Sequence, residues 1–174
     1  MRDRVLRGLA ILAVVQGVAL LAAYSIGTAS DSGWVVTGDS VDGLEVYGRS
    51  GDPTSLATGV PTLVLVFHSQ CAHCERVAPE WKRWLDEHRD EVHVVSVSTE
   101  PWAEGRAYVD RHGWSVDHIR AGEGRRGSRT QAFTARTPWV FAVDARGTVL
   151  ATGHGSVIDE VARPLMAPAE GLGR

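Results

Sequence analysis

The chain holds two cysteines, Cys71 and Cys74, in the stretch "VFHSQCAHCERVAPEWKRW", with Ala72 and His73 between them. Thiols at that spacing can attach haem, bind a metal, form a structural bridge or exchange a disulfide. Haem attachment needs a histidine directly after the second cysteine, and that position is Glu75. A structural zinc site needs four ligands; His68 and His73 are the nearest candidates, but His73 would have to bend back past both sulfurs. A bridge across two intervening residues closes almost no chain loop, so as a staple it stabilises little. Disulfide exchange has a positive mechanism. Cys71 falls where an apolar, strand-like run ends and a helical pattern begins, and there the free N–H groups and the helix dipole favour a thiolate. Cys74, one turn later, is placed to attack a mixed disulfide formed on Cys71. His73, protonated beside the nucleophile, lowers its pKa further. A copper carrier using Cys71, Cys74 and His68 is the alternative from a different class.

The elements that must position this pair can be read from periodicity. "LEVYG" followed by "RSGDPTS" is a first strand and a reversal, and "PTLVLVFHS" is a continuous apolar run that suits a strand buried on both faces. From Cys71 to about Arg89, Val77, Trp81, Trp84, Leu85 and His88 recur at three- and four-residue spacing, which predicts a helix. "EVHVVSVST" is a second buried strand, and "PWAEGRAYVDRHG" begins with Pro and ends with Gly as a helix does. "RAGEGRRGSRTQAF" reads as a loop with a short helical turn. "PWVFAVDARGTVLATGHG" is a hairpin around "DARG", and "VIDEVARPL" is a closing helix. The sum is one α/β domain, a mixed sheet with helices on both faces.

The front of the chain is different. Gly8 to Ala29 carries no charge, with Arg2, Arg4 and Arg7 before it and Asp31, Asp39, Asp42 and Glu45 behind it before the first arginine, Arg49. An uncharged run of roughly 20 residues spans about 30 Å as a helix, enough to cross a bilayer. The basic flank places the N-terminus in the cytoplasm and the rest outside. A cleaved signal peptide is the competing reading, since "IGTAS" offers small residues to a peptidase. Either way the domain is exported. The expected organisation is an anchor at 1–30, with 8–29 in the lipid bilayer, a Gly/Ser/Thr-rich tether at 31–42, a folded domain at 43–166 and a tail at 167–174. The formal net charge of -3 excludes a general nucleic-acid binder.

With the cysteine pair, "CAHCERVAPEW" with Pro79 five residues after Cys74, and the "TP" of Thr137 and Pro138 before a strand, the chain resembles the thioredoxin-like superfamily, and within it the membrane-anchored TlpA-like thiol-disulfide oxidoreductases. The resemblance runs from about residue 42 to 163. It implies a thioredoxin-like fold, with Cys71 as nucleophile, Cys74 as resolving cysteine and a reversible Cys71–Cys74 disulfide. It also implies that Thr137 and a cis Pro138 form the loop that binds substrate backbone. No cofactor or metal is implied. The implied partners are exported proteins with thiols or disulfides, and a membrane or extracytoplasmic redox partner. Three positions depart from the family. Gln70 replaces the aromatic residue before the first cysteine, and Leu65 and Val77 replace carboxylates that handle protons. His68, His73, Glu75 or water must serve instead.

Trp81 and Trp84 fall on the core side of the predicted helix, and Trp139, directly after Thr137–Pro138, is a candidate for the substrate groove. Arg120, Arg125, Arg126, Arg129 and Arg136 form a basic stretch that either steers an acidic partner or is a solvated loop.

Overall fold

In the computed structural model, which describes residues 33–166, strand β3 (Thr62–Phe67) is buried along its whole length, and the sheet extends outward from it. Before it come two short strands, β1 (Val46–Tyr47) and β2 (Pro53–Thr54). After it come helix α1 (Ala72–Glu87), strand β4 (His93–Ser98), helix α2 (Trp102–Arg111) and strand β5 (Asp117–Ala121). Helix α3 (Arg129–Thr134), strands β6 (Trp139–Val143) and β7 (Val149–His154), a 3-10 turn (Gly155–Val157) and helix α4 (Ile158–Met166) complete the domain. The strand order is β2-β1-β5-β4-β3-β6-β7. The β3/β4 and β4/β5 pairs are parallel, and β3/β6, β6/β7, β1/β2 and β1/β5 are antiparallel, so the sheet is mixed as expected.

The two-residue side-chain period of β3 divides the core. Leu63, Leu65 and Phe67 face a cluster built from Val77, Trp81 and Trp84 of α1, Tyr108 and Val109 of α2 and Val161 of α4. Val64 and Val66 face the other cluster, which holds Phe133 of α3, Phe141, Val35, Val41, Leu44 and Leu56. Both faces carry helices, unequally: three on one side, and the short α3 with the N-terminal segment on the other.

Two features differ from the sequence expectation. Strand β5 escaped periodicity because Asp117, His118 and Arg120 break any apolar alternation, although β5 pairs with β4 and β1. Moreover, the stretch expected as a tether is docked from Trp34 onward. Gly38 N donates to Val149 O at 2.8 Å, Val149 N to Asp39 O at 2.8 Å and Val41 N to Gly147 O at 2.7 Å. Val35 and Val41 are buried within a composition that otherwise suits a linker. The expected anchor at 1–30 and tail at 167–174 lie outside the described residues. Among the described residues no helix is long and apolar enough to cross a membrane.

His118 is buried between β4 and α2, with Ser96 Oγ 3.1 Å from Nδ1 and Ser98 Oγ 3.5 Å from Nε2. Helix α2 approaches it closely because residue 105 is glycine: a Cβ there would lie 2.4 Å from His118 Nε2. Burial, then the charge of Arg106, pushes the imidazole down to about 4. The unfolded chain takes up this proton near pH 6.5, so between those values it binds a proton that the folded state refuses, and stability falls as pH falls. Denaturant unfolding at about pH 7 and about pH 5 is expected to show a loss of about 2 kcal/mol from this group. The loss is expected to shrink in His118→Gln whatever that variant's starting stability. An equal loss in both proteins would contradict the assignment.

Candidate active site

Cys71 is the N-cap of α1, in extended conformation, and its sulfur accepts a hydrogen bond from the backbone N–H of Cys74 at 3.3 Å. The residue leaves β3 through a tight turn in which Cys71 N donates to His68 O at 3.0 Å. Its thiol donates to the carbonyl of Thr137 at 3.5 Å. The Thr137–Pro138 peptide bond is cis, and Pro138 is buried. The two segments singled out in the sequence, 66 residues apart at this contact, therefore meet at the nucleophile's position.

The pair is strongly asymmetric. Cys71 is partly exposed and Cys74 is 0% exposed, both as free thiols. Partial burial by itself raises the Cys71 thiol. Hydrogen bonds from Cys74, the Thr137 side chain and the Cys74 and His73 backbone outweigh it, so the pKa lies below the ordinary value. Burial, then the hydrogen bond and charge of Cys71, push Cys74 up to about 12. What reaches the Cys71 sulfur from His73 is its backbone amide, and the imidazole is exposed. Glu75 accepts from Arg111 Nη2 at 2.6 Å and lies 3.4 Å from His112 Nε2.

Leu65 and Val77 are buried and apolar, so the pair does lack a carboxylate at the positions where the family resemblance implies one. A carboxylate arrives from elsewhere. Glu100, between β4 and α2, is 7% exposed and accepts from Ser69 N at 3.1 Å and Ser69 Oγ at 2.6 Å. It also lies 3.5 Å from His68 Nδ1. It thereby clamps the 68–70 turn whose backbone holds Cys71. Nothing in "STEPW" distinguishes a buried acid from one at an ordinary helix start, and the partners that bury it are 31 residues away.

Helix α1 is held to the Thr137–Pro138 loop from inside. Trp81 Nε1 donates to Gly155 O at 2.8 Å, and Gly155 N donates to Pro138 O at 3.1 Å. A Cβ on residue 155 would lie 2.7 Å from Trp81 and 2.9 Å from Pro138, so only glycine lets the three approach. Trp139 is half-buried, its indole donating to Thr152 Oγ1 at 2.6 Å. Among the described residues no three His, Cys, Asp or Glu side chains group as metal ligands, and His68 Nδ1 accepts from Gln70 N at 3.2 Å. His68, the histidine that the copper-carrier alternative names, thus has its Nδ1 engaged by that amide.

The sequence matches no protein-family model and no curated protein. Solved structures are similar in shape. A thiol:disulfide interchange protein from Bacteroides sp. superposes with a TM-score of 0.59 at 15% identity, over 80% of this chain and 96% of that one. The thioredoxin domain of a thiol-disulfide oxidoreductase from Bacteroides vulgatus gives 0.58 at 16% identity, over 75% and 99%. A thio-disulfide isomerase from Thermus thermophilus gives 0.53 at 22% identity, over 77% and 99%. At these identities the likeness establishes the fold, which is thioredoxin-like.

Proposed function

We propose that this thioredoxin-like domain is a thiol-disulfide oxidoreductase, tethered outside the cytoplasm, that exchanges disulfides with exported client proteins through Cys71 and Cys74. The observation that carries the reading is the opposed tuning of two sulfurs one helical turn apart. Cys71 lies below the ordinary thiol value, and Cys74 is pushed up to about 12. A thiolate is the attacking species, so one sulfur is ready to enter a client disulfide while the other waits protonated. The relatives in shape, whose names describe thiol-disulfide chemistry, support the same reading.

In the reducing direction, the Cys71 thiolate attacks one sulfur of a client disulfide. The client's other sulfur leaves as a thiolate and takes a proton. In the mixed disulfide Cys71 bears no charge and no longer bonds to Cys74. Two of the causes that hold Cys74 protonated disappear at that moment, and burial alone remains. Cys74 then loses its proton and attacks Cys71 Sγ, the client's second thiol leaves, and the pair is oxidised to a disulfide by two electrons. A redox partner restores the thiols; the reverse sequence oxidises a client. Thr137, in contact with Cys71, lies where the client backbone must pass, and the backbone amide of His73 helps to hold the Cys71 thiolate.

The tethering rests on the uncharged run at 8–29 and its one-sided arginine flank. A reporter enzyme that is active only outside the cytoplasm is expected to be active when fused after Arg174. An inactive fusion would remove the export part of the reading.

Mixed-disulfide trapping tests the chemistry. Cys74→Ser leaves Cys71 able to attack with nothing to resolve the product, so long-lived mixed disulfides with client proteins are expected on non-reducing gels. Cys71→Ser retains a buried thiol held protonated and is expected to trap almost none. Equal trapping by the two variants would contradict the assignment of roles.

A further inference from the structure

Arg136 immediately precedes Thr137, is exposed, and forms no ion pair among the described residues. Its guanidinium carbon lies 3.7 Å from the ring centroid of Trp34 and 4.7 Å from that of Trp139. Trp139 is itself fixed by its hydrogen bond to Thr152 and an edge contact with His154, ring centroids 6.4 Å apart. Trp34, from the docked N-terminal segment, keeps 42% of its surface exposed. Contact with two aromatic faces orders a side chain that is otherwise costly to immobilise, while leaving its N–H donors at the edge to meet a carboxylate.

The position of this ordered cation gives it a use. The Thr137 carbonyl is 3.5 Å from Cys71 Sγ, so a client segment joined to Cys71 lies against residue 137. The residue beside the client's cysteine is then only about 3.3 Å further along an extended chain, beside Arg136. Of the arginines singled out in the sequence, Arg120 lies over the Tyr47 ring and Arg129 bonds to the Ser40 carbonyl. Arg125 and Arg126 are on the loop before α3. Arg136 is the one next to the residue that touches the nucleophile.

We propose that Arg136, held between Trp34 and Trp139, is a specificity subsite that recognises a carboxylate side chain flanking the client's reacting cysteine. The inference rests on the thiol-exchange reading above. The client is thus an acidic segment around a cysteine, and the N-terminal segment is part of the substrate face through Trp34.

Two synthetic peptides test this. Each carries one cysteine in a disulfide with thionitrobenzoate and is flanked by Asp in one and Lys in the other. Attack by Cys71 on the peptide sulfur releases the coloured thiolate, and Cys74 then releases the peptide thiol. Rates are measured with the reduced full chain in detergent and normalised to each peptide's rate with a small free thiol. The acidic peptide is expected to react up to about fivefold faster at low ionic strength, with the preference fading as salt is added. In Arg136→Gln the ratio is expected to fall toward one, and Arg136→Lys is expected to retain part of it. Unselective thiols of unfolded chain would also pull the ratio toward one, so each variant is compared only after its circular dichroism is shown to match that of the wild-type chain. Equal rates with the wild-type chain, or a preference that survives in Arg136→Gln, would overturn the subsite alone. If neither peptide reacts faster with wild type than with Cys71→Ser, the thiol-exchange reading falls and the subsite with it.

Discussion

Trp81 fixes, from inside the fold, how far the first turn of α1 stands from the Thr137–Pro138 loop. Its indole donates to the Gly155 carbonyl, whose own residue donates to Pro138, and the Cβ position of residue 155 is too close to both for any side chain. Trp81 is fully buried against Trp114, ring centroids 5.3 Å apart, and Trp114 donates in turn to the Ala78 carbonyl of the same helix. Moving α1 relative to the loop would therefore break a buried hydrogen bond and open the aromatic core, each costing on the order of 1–3 kcal/mol or more. That rigidity lets a sulfur at the helix end sit 3.5 Å from a carbonyl 66 residues away.

From that placement the electrostatics follow. One sulfur faces solvent at a helix start, where N–H groups point at it, and the other is carried by the next turn into the core. The same helix geometry therefore lowers one thiol and raises its neighbour. No carboxylate is needed to separate them, which accounts for apolar Leu65 and Val77 at positions where a charge stands in the related pattern. The buried acid near the site, Glu100, instead holds the turn before Cys71 through Ser69.

Much of this was legible in the sequence, for identifiable reasons. β3, α1 and the hairpin carry strong period-two or helical patterns because their burial is one-sided or complete, and the cysteine and Thr-Pro motifs are local. β5 was hidden because its inward residue is a neutral histidine bonded to serines, which looks polar in sequence and behaves as core. The N-terminal segment was hidden because a few valines suffice to dock a Gly-rich strip whose backbone pairs with β7. Glu100, Gly155 and the Trp34–Arg136–Trp139 stack were invisible because each depends on partners distant in the chain. They are products of the fold, and no short window contains them.

If a stabilised Cys71 thiolate favours the reduced pair, Cys71 and Cys74 must behave as one redox couple. Equilibration of the purified full chain in a graded series of glutathione buffers, with the free thiols then alkylated and weighed by mass spectrometry, reads this out. One reversible two-electron transition between the dithiol and the Cys71–Cys74 disulfide is expected, at a potential above thioredoxin's value of about -270 mV. A pair that forms no internal disulfide anywhere in the series, or one whose potential falls at or below that value, would contradict it.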